Sequence, residues 1–114
     1  MINILIIEDE IPAQITLKKL IERCCADSQV LATLTSVKST IKWLEENPDM
    51  ADIIFMDVEL SDGICFEIFE HINPSAQVII TTAYDNYALN AFKINSVDYL
   101  LKPIIDEELC RAWQ

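Results

Sequence analysis

The chain has 114 residues, of which 52% are hydrophobic, enough to bury the core of one domain and too few for a second. Asp and Glu number 19 against 8 Lys and Arg, a formal charge of −11. That balance speaks against nucleic acid, whose binding rests on basic residues neutralising phosphates, and favours a cation or a basic protein face.

Further classes fall away on composition. The apolar runs are only a few residues long, so no membrane span is expected. The start lacks the basic and long apolar stretches of a signal peptide, and a cytoplasmic protein is expected. Cys24, Cys25, Cys65 and Cys110 have no Cys-x-x-Cys spacing, and the sole histidine, His71, lies near none of them. A zinc site is therefore not expected, and the cysteines read as reduced, mostly buried thiols. The single glycine, Gly63, excludes Gly-x-Gly-x-x-Gly and P-loop phosphate cradles.

Taken in chain order, strands alternate with helices. Ile2–Ile7 is a short apolar run that reads as a buried strand. From Ile11 the period changes: Ala13, Leu17, Leu20, Ile21 and Cys24 share one helical face, opposite Lys18, Lys19, Glu22 and Arg23. Pro12 fits the first turn, where its missing N–H costs nothing. Val30–Thr35 reads as the second strand. Ser36 can cap a second helix carrying Val37, Ile41 and Leu44, which Asn47-Pro48 ends.

Ile53–Met56 is the third strand. Cys65, Ile68, Phe69 and Ile72 then form a helix face, stopped by Asn73-Pro74. Gln77–Thr81 is the fourth strand, and Tyr84, Ala88, Ala91 and Phe92 mark the fourth helix. Val97–Leu101 is the fifth strand, ended by Lys102-Pro103, and Asp106 can cap a last helix with Leu109 and Trp113. That helix reaches the chain end, so residues 1–114 are expected to be one domain of a longer protein.

Five β-α units with short connections imply a parallel sheet covered by helices on both faces. The size favours the flavodoxin-like doubly wound order 2-1-3-4-5, whose ligands bind beyond the carboxyl ends of the strands, beside strand one. Glu8 and Asp9 follow strand one, Asp57 ends strand three, Thr82 follows strand four and Lys102 follows strand five. These side chains should converge. Clustered carboxylates repel one another, and a hard divalent cation relieves the repulsion. Magnesium suits the arrangement, since it is held by one or two carboxylates plus waters and phosphate. A carboxylate can also attack phosphorus and form an aspartyl phosphate, whose oxygens an ammonium and a hydroxyl can hold.

The pair Glu8-Asp9, the strand-end Asp57, the Thr82-Ala83 step and Tyr99-Leu100-Leu101-Lys102-Pro103, in that order, resemble the receiver domain of bacterial two-component response regulators. The similarity covers the whole chain, and TTAYDNYALNAFKINSVDYLLKP looks like the subgroup with a LytTR-class DNA-binding output domain. The resemblance implies that Asp57 accepts a phosphoryl group from a histidine kinase. It implies magnesium bound by Asp9 and Asp57, by Glu8 through water and by the backbone carbonyl of Glu59. Lys102 would pair with the phosphoryl group, Thr82 would move to hydrogen-bond it, and Tyr99 would turn inward as the switch. A homodimer through the fourth helix, fifth strand and fifth helix is expected on phosphorylation, with DNA reached only through an output domain and no membrane contact.

The chain departs from the family after the phosphoacceptor. The loop Val58-Glu59-Leu60-Ser61-Asp62-Gly63 is short, Ser61 replaces a proline, and Asp62 places another acid near the site. Two other functions fit parts of the pattern: a small aspartyl-phosphate phosphatase, which usually carries an aspartate where this chain has Glu59, and a receiver-like interaction module that takes no phosphate. Flavin binding lacks a phosphate loop.

Overall fold

Strands that are apolar at every position can be buried only if both faces of their sheet are covered. The computed structural model describes residues 2–24, 27–72, 74–82 and 97–101, with residues 82 and 97–101 given by backbone alone, and shows that arrangement. Its elements are β1 (Ile2–Ile7), α1 (Ile11–Cys24), β2 (Ser28–Leu34), α2 (Val37–Glu46), β3 (Ile53–Asp57), β4 (Glu59–Leu60), β5 (Gly63–Ile64), a 3-10 turn (Cys65–Glu67) leading into α3 (Ile68–His71), β6 (Gln77–Thr82) and β7 (Val97–Leu101). The parallel sheet runs β2-β1-β3-β6-β7, which is the expected order once the small hairpin β4-β5 is numbered. The fourth helix and the last helix expected from the sequence lie outside the described residues.

Side chains alternate across the sheet, and the two cores follow that alternation. Ile4 and Ile6 of β1, Ile53 and Phe55 of β3 and Ile79 of β6 pack with Leu17, Leu20 and Ile21 of α1. Their neighbours Leu5, Ile7, Ile54, Met56, Val78 and Ile80 pack on the other face with Val37 and Leu44 of α2, Ile68 of α3 and the connecting residues Val58 and Leu60. Phe55 is completely buried. Burying such a ring contributes about 1.5–3 kcal/mol.

Three local features fell outside the sequence reading. The register of β1 on β2 jumps from Ile4–Val30 to Leu5–Ala32, leaving Leu31 as a bulge in the edge strand. The segment after Asp57 folds into the antiparallel pair β4-β5, closed by Cys65 N–H donating to the Val58 carbonyl at 2.7 Å. Gly63 lies where a Cβ would collide with the Glu67 carboxylate, which accepts the Ile64 N–H at 3.1 Å.

The cysteines need one correction. Cys65 is a free, buried thiol as expected, but Cys24 is disulfide-bonded. Cysteine spacing along a sequence does not report which sulfurs meet in space. Among the described residues no helix is long and apolar enough to cross a membrane.

Candidate functional site

Strand register brings the acids together. Ile7 of β1 pairs with Met56 of β3, so the next residue on each strand, Glu8 and Asp57, arrives at the same level of the sheet. Asp57 is in turn level with Thr81 of β6, and Thr82 with Leu101 of β7. One carboxylate oxygen from each of Glu8, Asp9 and Asp57 can be chosen so that all lie within 4.8 Å of one another. Glu8 and Asp57 are buried, at 2% and 7% exposure, and Asp9 is half-buried.

The surrounding backbone fixes this corner. Glu8 N–H donates to the Leu34 carbonyl at 2.8 Å, and its own carbonyl accepts the Gln14 Nε2–H of α1 at 2.7 Å. Its carboxylate accepts the Glu10 N–H at 3.3 Å. Because α1 begins two residues after Asp9, the partial positive charge of its N-terminus favours the ionised acids and offsets part of their charge.

That offset is incomplete. The Asp9 carboxyl is raised above its ordinary value, first by burial, then by its hydrogen bond with Glu8 and by the charge of Glu8, with a lesser push from Glu10. Three crowded carboxylates, two of them buried, are a hard-oxygen donor set that fits a divalent cation. Beside them Cys65 is fully buried, and its thiol is pushed far up, first by burial and then by the charge of Asp57. It is a packing residue with no thiolate character.

The structure thus brings together Glu8, Asp9 and Asp57. Glu59 stands two residues beyond Asp57 in β4 with its side chain exposed, and among the described residues it adds no carboxylate to the cluster. Thr82 ends β6 and Tyr99 lies in β7 opposite Ile80, both by backbone position only. Lys102 lies outside the described residues.

Asp62, read from the sequence as a further acid near the site, is turned elsewhere. Its Oδ1 accepts the Val37 N–H at 2.6 Å and its Oδ2 the Lys38 N–H at 3.1 Å, at the start of α2. What burial it has opposes ionisation, but these backbone donors outweigh it and hold the carboxyl below its ordinary value. The chain separation of 25 residues hid this role, because helix capping is sought within a few residues of a helix start.

A doubly wound sheet with an acid cluster beside strand one is the architecture of receiver domains. The family model of the response regulator receiver domain matches residues 4–114. The chain belongs to that family and is a receiver domain of a two-component response regulator. It is 36% identical to the sensory transduction protein LytT of Bacillus anthracis, over 98% of this chain and 46% of that protein. It is 34% identical to the sensory transduction protein LytR of Streptococcus agalactiae, over 96% of this chain and 46% of that one. The chain therefore spans about half the length of these relatives, which place it in the LytTR class. The crystal structure of a response regulator receiver domain protein from Clostridium thermocellum superposes with a TM-score of 0.80 at 28% identity, covering 98% of this chain and 90% of that one.

Proposed function

We propose that Asp57 is the phosphoacceptor and that the cluster works with magnesium. The observation that carries this reading is the convergence of Glu8, Asp9 and Asp57 within 4.8 Å at the ends of adjacent strands. A carboxylate oxygen of Asp57 attacks the phosphorus of a phosphohistidine on a sensor histidine kinase. The P–O bond forms as the P–N bond breaks, and the electron pair leaves with the imidazole nitrogen. Bound magnesium supplies the positive charge that lets an anionic nucleophile and an anionic phosphoryl group approach.

The chain's own residues do the rest. Asp9 and Asp57 would hold the cation directly and Glu8 through water, with the Glu59 carbonyl as a further protein ligand. Lys102 pairs with the phosphoryl oxygens and Thr82 donates its hydroxyl to them. Tyr99 turns inward behind Thr82, carrying the change to the surface of the fourth helix, fifth strand and fifth helix, where a second copy docks. The new phosphate adds roughly −1.5 to −2 charges at neutral pH, a local electrostatic event with a distant readout. Catalysis is at most self-catalysed phosphotransfer and autodephosphorylation. The match covers 46% of the relatives' length, which supports an attached output domain; in this reading that domain binds DNA and supplies the contact with nucleic acid, and a cytoplasmic setting goes with it.

The test is a two-dimensional NMR spectrum with beryllofluoride, a phosphoryl mimic, with and without magnesium. Shifts of the amides around Asp57, Thr82 and Tyr99 only when both are present are expected. An unchanged spectrum, or the same shifts in Asp57→Asn, would refute the assignment.

A further inference from the structure

The hairpin that leaves Asp57 is pinned at both ends. At its base the Val58 N–H donates to the Thr81 carbonyl at 3.3 Å, and Cys65 N–H closes on Val58. At its tip the Ser61 N–H and Oγ–H both donate to the Thr35 carbonyl, at 3.4 and 3.1 Å, and Asp62 takes the Val37 and Lys38 N–H groups. The start of α2 needs this contact. Its first turn has no acidic residue of its own, and the Ser36 hydroxyl accepts one backbone N–H there, that of Ser39 at 3.0 Å. Asp62 therefore supplies both the missing acceptors and the negative charge that a helix N-terminus favours. Leu60, buried at the hairpin's middle, anchors the same segment in the core below α2.

We propose that Asp62 is a positioning residue for cation binding at the Glu8–Asp9–Asp57 cluster. Val58, Glu59 and Leu60 are the three residues between Asp57 and the hairpin tip, so a loose tip lets the backbone beside Asp57 sample other paths. Held on α2, that backbone stays in the conformation that offers the Glu59 carbonyl to the cation. This inference rests on the proposed reading that the cluster binds magnesium with the Glu59 carbonyl among its ligands. Apparent affinity scales with the fraction of protein in the binding-competent conformation, so releasing the tip weakens binding without touching a ligand.

The test is calorimetric titration of the unphosphorylated chain with magnesium, with thermal unfolding of each variant alongside. The parent binds, and Asp57→Asn loses binding. Asp62→Ala weakens the affinity about three- to tenfold, and Asp62→Asn, which keeps one acceptor oxygen, falls between it and the parent. Ser36→Ala, which strips a cap from the same helix without touching the hairpin, lowers Tm but leaves the affinity at the parental value. If the parent binds and Asp62→Ala binds equally well, the positioning role is wrong while the site reading stands. If Ser36→Ala weakens binding as much as Asp62→Ala, the effect belongs to helix stability and the inference is overturned. A parent that does not bind magnesium at all overturns the site reading, and this inference with it.

Discussion

Replacing Asp57 by Asn should stabilise the domain when no divalent cation is bound. The change removes one of three carboxylates whose oxygens lie within 4.8 Å, two of them buried, and keeps the side chain's shape. At that separation two unit charges repel by about 3.5 kcal/mol at an effective dielectric constant near 20, and by about 0.9 kcal/mol at the value of water. Proton uptake relieves part of this, as the raised Asp9 carboxyl shows. A net gain of about 1–3 kcal/mol remains, or roughly 4 °C in Tm for each kcal/mol in a domain of this size. Thermal unfolding followed by circular dichroism in low salt with a chelator measures it. Magnesium should then raise the Tm of the parent with the logarithm of its concentration above Kd and leave the variant behind, so that the gap narrows or reverses. A variant less stable than the parent in chelator would refute the reasoning. It would mean that the Asp57 carboxylate is held by favourable bonds stronger than its repulsion from Glu8 and Asp9.

Phe55→Ala, at a fully buried position facing α1, should cost about 3–5 kcal/mol in urea denaturation, and a loss under about 1 kcal/mol would contradict the packing described. Asp62 has a folded-state carboxyl below its unfolded value, so its contribution to stability is present above pH 3.8 and is lost as pH falls below it. Asp62→Asn should therefore flatten the stability profile in that acid range, and an unchanged profile would count against the bonds to Val37 and Lys38. The Cys65 thiol should resist iodoacetamide in the native protein at neutral pH, read by peptide mapping, and rapid alkylation would contradict its burial beside Asp57.

What could be read from the sequence follows from how local each signal is. The five strands are dense in Ile, Leu and Val and give way to polar or charged residues at their carboxyl ends, so β1, β3, β6 and β7 stand within a residue of expectation. The strand order followed from the alternation with helices, and convergence of Glu8, Asp9 and Asp57 followed from the order. Ser36 announced the start of α2 because an N-cap acts within three residues. The β4-β5 hairpin was not legible because its strands are only two residues each, too short for an alternating pattern, and the service of Asp62 to α2 was hidden because it joins segments 25 residues apart. The loop after Asp57 looked like a shortened connection with a stray acid. In the fold it is a strut, and the acid that seemed to belong to the site caps a helix. The bulge at Leu31 was equally hidden, because a register shift is a property of two strands and appears in neither alone.

The central claim is that Asp57 takes up a phosphoryl group with the help of the neighbouring acids. Intact-mass analysis after incubation with acetyl phosphate and magnesium tests it most directly. The parent should gain the mass of one phosphoryl group, mapped to Asp57 after reductive trapping, with no gain in chelator and none in Asp57→Asn. A parent that stays unmodified under these conditions, or an Asp57→Asn variant that gains the same mass, would contradict it.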